Sequence, residues 1–196
     1  MAQAYRIIRS EHFELGLVLS CLQHLVDALE DDDWQPDFDL LFLILDYIES
    51  FPETFHHPKE EEYLFTAIRR RRPEAGRILD ELCDEHAAGV GLMTELRAAL
   101  TGFMNDPATR EHFRATASNY VASERRHMER EDRIILPIAL EVLGETDWRE
   151  IDAAFAQNEH PLLNPERRAR FDRLFGLILK LVPGDIAFDA EDADPG

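Results

Sequence analysis

Between Tyr5 and Leu143 the apolar residues recur every three or four positions, and no window alternates with period two long enough to build a sheet. A chain with that rhythm must bury helix faces against one another. "YRIIRSEHFELGLVLSCLQHLVDALE" (5–30) is the first such stretch and ends at the acidic turn "DDDWQP". "DFDLLFLILDYIESFPETFHHPKEEEYLFTAIRRRR" (37–72) is the second, and Pro52 and Pro58 should kink or interrupt it. Pro73 opens a third at a first-turn position, running to about Thr101. After the turn "TGFMNDP", a fourth runs from about Ala108 toward Leu143, disturbed near Pro137. Four long helices with short connections predict an all-α fold, an antiparallel up-down four-helix bundle, over residues 1–145. Extra C-terminal helices follow in an extension over 146–183: a short one over 146–160 and an amphipathic one over 165–182. That extension is expected to pack on the bundle or on a second subunit, as in a homodimer. Residues 184–196 read as an acidic, flexible tail.

Composition removes several classes of function. A formal charge of −19 over 196 residues excludes nucleic acid as a partner, because a phosphate backbone must be met by clustered Lys and Arg. The one basic run, Arg69 to Arg72, stands before Pro73, where cations complement the C-terminal end of a helix dipole. No apolar run approaches the roughly 20 residues of a membrane span, so no membrane partner is expected. The start of the chain lacks an apolar signal core, and Cys21 and Cys83 form no close pair, which together predict a cytoplasmic location.

The polar residues carry a pattern of their own. "FHHPKEEEYLF" (55–65) and "RRHMEREDRIILP" (125–137) each contain His-x-x-x-Glu, His56 to Glu60 and His127 to Glu131. Residues four apart share a helix face, so each pair can point at one ion. The first helix adds His12 in "SEHFELG" and the third adds His86 in "DEHAAGV". The order is His, His-x-x-x-Glu, His, His-x-x-x-Glu, as in two helical hairpins of one plan. Counting from the turns places these residues level. His12 lies 18 residues before Glu30 and His56 lies 19 after Asp37; Glu60 lies 12 before Arg72 and His86 lies 13 after Pro73. The third turn agrees less well, with His86 15 residues before Thr101 and His127 19 after Ala108, so the fourth helix must start late or the loop must overhang.

Four imidazoles and two carboxylates suit a first-row transition metal better than calcium or magnesium. Six side chains exceed one tetrahedral zinc and fit two ions bridged by the two glutamates. Iron is the expected metal, two ions per chain (Fe2+/Fe3+), with manganese or zinc behind it.

At these residues the sequence resembles the hemerythrin-like, HHE cation-binding family: "SEHFELG", "HHPKEEEYLF", "DEHAAG" and "HMEREDRIILP" match its four blocks, over about residues 5 to 143. The resemblance implies a four-helix bundle holding a non-haem di-iron centre, with His12, His56, Glu60, His86, His127 and Glu131 as ligands. Two departures stand out. Oxygen-carrying hemerythrins have His-x-x-x-His on the third helix, but four residues after His86 stands Val90. They use His-x-x-x-x-Asp on the fourth, and here both Glu131 and Asp132 are available. A poorer ligand set favours reactivity with oxygen, peroxide or nitric oxide over oxygen carriage. His57 is a candidate fifth nitrogen, although it stands about 100° round an α-helix from His56.

His24 and His112 lie too far along their helices to join the site, and His160 precedes Pro161; all three read as surface or helix-end residues. Cys83, one turn before His86, is expected to face the interior, as core or as a metal-adjacent thiol. Tyr120 and, if Pro58 leaves its helix regular, Tyr63 are expected near the cavity, filling core with the hydroxyl satisfied or, as the second reading, donating to bound oxygen. Glu61 and Glu62 are expected to face solvent, with support of a ligand imidazole as the second reading for Glu61. No side chain stands out as an organic catalytic base or nucleophile. The expected function is a di-iron protein that binds or reacts with a small oxidant (O2, NO or peroxide). The alternative is iron sensing, storage or delivery, including support of iron–sulfur centre repair.

Overall fold

The computed structural model of the chain describes residues 2–156, apart from 32, 51 and 53–55. Its secondary structure is helical throughout, with no strand among the described residues. α1 (Gln3–Ala28) turns its apolar stripe inward through Ile8, Leu15, Leu19, Leu22 and Val26. Asp37 starts α2 (Phe38–Ser50) by accepting from the Leu40 N–H at 3.0 Å, an N-terminal cap. The chain is next described as α3 (His57–Lys59), with Pro58 in its first turn, a π turn (Glu60–Phe65) and α4 (Thr66–Arg71). Pro73 opens a 3-10 turn that leads into α5 (Gly76–Asn105). Asp106 caps the next turn by accepting from Ala108 N–H, and α6 (Arg110–Arg130) follows. A second π turn (Glu131–Ile135) precedes α7 (Leu136–Val142), where the sequence placed a disturbance near Pro137. α8 (Glu145–Ala156) completes the described chain.

α1 packs on α2, α2 on α5, α5 on α6 and α6 back on α1, so the long helices form a bundle. The soft third turn is resolved by where its helices end. α5 runs on to Asn105 and α6 starts at Arg110, so His86 lies 19 residues before the turn and His127 lies 17 after it (105 − 86 and 127 − 110). The two histidines are thereby level.

The core is two apolar layers rather than one. The upper holds Leu15, Leu19 and Leu22 of α1, Ile44 and Ile48 of α2, Leu96 and Leu100 of α5, and Phe113 of α6. The lower holds Ile8, Leu64, Ile68, Leu79, Ile135 and Phe155. Between them, at one level of the bundle, lie the buried polar residues His12, His56, His57, Glu60, His86, His127 and Glu131.

α8 closes the lower end, with Ile151 and Phe155 entering the lower layer. The basic run at the end of α4 holds it there. Asp147, itself buried, accepts from Arg70 (2.6 Å) and Arg71 (2.9 Å), while Arg69 pairs with Asp80 and Arg72 with Glu141. No helix among the described residues is long and apolar enough to cross a membrane. The amphipathic stretch 165–182, the acidic tail and His160 lie outside the described residues.

The hydrogen bond from Arg71, against the push of burial and with help from Gly144 N–H and Arg70, holds the Asp147 carboxyl down from 3.8 to about 2. A depressed value means stability that is present above pH 3.8 and lost as pH falls through about 2. Asp147→Ala should cost about 2 kcal/mol near neutral pH. In urea unfolding, the gap between variant and parent should hold above pH 3.8 and close toward pH 2; a gap that widened on acidification would refute the pairing.

Candidate metal centre

Each of the four expected histidines is fixed at both ring nitrogens. His12 Nδ1–H donates to Asp132 (2.8 Å), His56 Nδ1–H to Glu11 (2.8 Å), His86 Nδ1–H to Glu61 (2.7 Å) and His127 Nδ1–H to Glu85 (2.9 Å). Each acceptor comes from the neighbouring helical rod. α1 serves the histidine after α2, the Glu60–Phe65 turn serves α5, α5 serves α6, and the Glu131–Ile135 turn serves α1. The four bonds form a closed ring around the bundle. Two acceptors are braced in turn, Asp132 by Arg9 at 2.6 Å and Glu85 by Arg130.

With Nδ1 committed, every Nε2 faces inward. His12 and His56 approach at 3.0 Å between Nε2 atoms, and His86 and His127 at 2.9 Å. Two imidazole lone pairs cannot face each other so closely without a cation between or beside them. Cis positions on an octahedral ion with bonds of about 2.1 Å stand about 3.0 Å apart, so both pairs have the spacing of a metal's neighbouring ligands.

The carboxylates span the pairs. Glu60 sets Oε1 3.4 Å from His56 and 3.9 Å from His12, while its Oε2 lies 3.8 Å from His86. Glu131 sets Oε2 3.3 Å from His12 and Oε1 3.3 Å from His127 and 3.7 Å from His86. One oxygen of each carboxylate therefore faces each histidine pair. Both residues are only 1% exposed, and Glu60 Oε2 and both Glu131 oxygens are buried without a hydrogen-bond partner among the described residues. Leaving a carboxylate so is costly unless a positive charge meets it.

In the metal-free chain protons supply that charge. Burial alone would lower His12 and His127, but Asp132 and Glu131 beside the first, and Glu131 and Glu85 beside the second, raise both to about 9. Burial lowers His56, so in the first close pair the extra proton sits on His12. Burial and the charge of Glu131 push Glu60 well up. Burial would raise Glu131 too, but His127, His12 and His86 hold it well down. Protons thus sit where the donor set could hold ions.

Seven donors form two groups, His12, His56, Glu60 and Glu131 in one and His57, His86 and His127 in the other, with the donor atoms of each group within 4.8 Å of one another. His57, the candidate fifth nitrogen, stands in the second group, although a regular helix would turn it about 100° from His56. Its helix is not regular here: His56 lies in a π turn with φ −82° and ψ −67°, and a wider turn separates neighbouring side chains by a smaller angle. Burial and the neighbouring His86 and His56 hold His57 well below the usual imidazole range, so it is neutral at pH 7.

Other expectations need correction. Tyr63 is 37% exposed and does not line the cavity, because the π turn carries it outward. Glu61 does not simply face solvent but holds His86. Asp132 binds His12 rather than competing with Glu131. Cys83 is half-buried at the edge of the lower layer and belongs to neither donor group. Tyr120 is buried in the upper apolar layer, in keeping with the core-filling role expected of it. Val90 is 52% exposed, so the position that carries the second histidine in oxygen-carrying hemerythrins points away from the site here. His24 and His112 are exposed, as expected. Glu11 and Glu85 escaped the sequence reading. The available signal was an acid immediately before a histidine on α1 and α5, and an acid immediately after the glutamate of each His-x-x-x-Glu.

A helical bundle whose core is interrupted by one layer of inward-facing imidazoles and carboxylates defines a metal-binding class of protein. Residues 3–139 match the model of the hemerythrin HHE cation binding domain, and the chain belongs to that family. It is also similar to uncharacterized proteins of Mycobacterium bovis and Mycobacterium tuberculosis, 26% identical over 154 residues covering 76% of this chain. The match spans 58% of the length of those relatives.

Removing an acceptor from the ring should loosen its imidazole without removing a ligand. Glu11→Ala should weaken metal binding about 10–100-fold while the helical circular dichroism is kept; unchanged affinity in a competitive chelator titration would count against the ring.

Proposed function

We propose that this chain is a non-haem di-iron protein. His12 and His56 hold one ion, His86 and His127 hold the other, and Glu60 and Glu131 bridge them. One observation carries this reading: each buried carboxylate turns one oxygen to each histidine pair, and each pair has the spacing of neighbouring ligands on one ion. The mixed imidazole and carboxylate set suits a first-row transition metal, and the family's cation-binding character supports iron. The four rods are read as an antiparallel up-down bundle, each contributing to the site at one height.

Ferrous ions held there would supply redox chemistry toward a small oxidant: oxygen, nitric oxide or peroxide. The chain's own part is to hold and shield. The Nδ1 ring keeps each Nε2 unprotonated and aimed inward when metal is present. The apolar layers above and below exclude bulk water and admit a small uncharged molecule more readily than a charged one. Among the described residues no other side chain joins the two donor groups. Ligands this deeply buried favour a retained cofactor over a cargo that must leave, which sets iron delivery second.

The test is metal content and spectrum on protein reconstituted anaerobically with ferrous iron and then exposed to air. The parent chain should hold two irons and develop near-ultraviolet charge-transfer absorption on oxidation. His56→Ala or Glu131→Ala should lose at least one iron, and His24→Ala none. Equal losses in all three variants would sink the assignment, and readily exchanged iron with no spectrum would favour metal handling.

A further inference from the structure

Leu17 of α1 is buried (5% exposed), yet among the described residues it joins neither apolar layer. At about 100° per residue it stands about 160° round the helix from the inward Leu15. Ser20, which meets Arg125, marks the flank of α1 that faces α6, and Glu14, near Tyr47, marks the flank that faces α2. Leu17 lies about 60° from each, between them on the outer side. Cys21 (1% exposed) extends this apolar strip one turn up and Phe13 one turn down, while Tyr47 and Leu43 of α2 stand across the seam. A leucine so placed stays dry only where another element lies over it.

We propose that this outer groove between α1 and α2 is the docking site of the same chain's segment 165–182. α8 delivers the chain to it. Asp147, near the start of α8, binds Arg70 and Arg71 at the foot of α4, and Phe155, near its end, lies under Lys59, next to the donor layer. α8 packs on α1 and on the Glu60–Phe65 turn, so Ala156 hands the chain on at the groove's lower mouth. Residues 157–164 leave eight residues of connection, and the 18 residues of 165–182 would make a helix of about 27 Å. α1 offers about 24 Å from His12 to Ala28, a close match. On such a helix Phe171, Leu174, Phe175, Ile178 and Leu181 form one apolar face. Arg167, Arg168, Arg170, Arg173 and Lys180 against Glu166 and Asp172 give the segment +3 (five cations less two acids), in a chain of −19. The groove's rim has the opposite sign, with Glu14 on α1 and Asp39, one turn above Leu43, on α2. The docked segment closes the seam above Glu11, the acid that holds His56, and makes the extension part of the bundle rather than a separate unit.

The test is photo-crosslinking of the full-length chain. Phe13→p-benzoylphenylalanine keeps an aromatic ring at the groove's rim, and irradiation links it to whatever lies against it. Val90→p-benzoylphenylalanine, on the outer face of α5, is the control. Mixing light and heavy isotope-labelled chains shows whether a link forms within one chain. The expected result is linkage from residue 13 to peptides of 165–182 in the same chain, and none to them from residue 90. Weakening the strip should also loosen the segment: trypsin should cut within 167–173 at least about tenfold faster in Leu17→Glu than in the parent or in Val90→Glu. No link to 165–182, or linkage to that segment of a second chain, overturns the inference, as does a cleavage rate that Leu17→Glu leaves unchanged. Helical circular dichroism of Leu17→Glu at the parent's level confirms that cleavage reads undocking; if that variant does not fold, the cross-link alone decides.

Discussion

The closed ring of hydrogen bonds from four imidazole Nδ1 atoms to Glu11, Glu61, Glu85 and Asp132 is the interaction on which the rest of this bundle depends. It fixes the tautomer and the rotation of each histidine, and so decides that four Nε2 atoms converge. It also ties every rod to its neighbour through a buried or half-buried charge-assisted bond, each worth more than a neutral one. The layer is costly to bury without cations: Glu60 and Glu131 are dry, close together and short of donors. The apolar layers above and below must hold the rods in place while protons or metals occupy the centre. A sequence without the metal chemistry would more simply have filled this level with leucine.

The backbone departs from a regular α-helix where the chemistry needs it. Both bridging candidates, Glu60 and Glu131, are the first residues of π turns, and the two turns sit at corresponding places in the two hairpins. A π turn widens the helix and leaves a carbonyl seeking a donor; Thr66 Oγ1–H supplies one to the Glu61 carbonyl at 3.0 Å. The widened turn lets consecutive residues do different work. Glu60 reaches the centre while Glu61 reaches sideways to His86, and Glu131 reaches the centre while Asp132 reaches sideways to His12. His56 and His57 divide their roles in the same way.

Most of the fold was legible because it rests on period and punctuation. The apolar rhythm gave the rods, Pro73 and the acidic turn around residue 31 gave their ends, and level counting brought His12, His56, His86 and His127 together. The third turn misled because helix ends were set by Thr101 and Ala108, whereas α5 runs on to Asn105 and Asp106 caps the turn before α6. Residues whose role depends on local geometry were not legible. A regular 100° step turns His57 away from His56, leaves Glu61 mainly to solvent and puts Tyr63 inside; the π turn instead brings His57 inward, aims Glu61 at His86 and carries Tyr63 out. Glu11 and Glu85 act across to another helix, so no spacing within their own helix reveals them. Asp147, which joins α8 to the arginine run 76 residues earlier, is equally silent in one dimension.

The central claim is that one chain holds two metal ions close together. Iron K-edge X-ray absorption on the full-length chain, loaded anaerobically with two equivalents of ferrous iron and desalted, tests it most directly. A carboxylate-bridged pair should show iron scattering from a second iron at no more than about 4 Å, in a shell of nitrogen and oxygen neighbours with imidazole outer scattering. Two retained irons without that iron–iron vector, or a single retained iron, would contradict the bridged site.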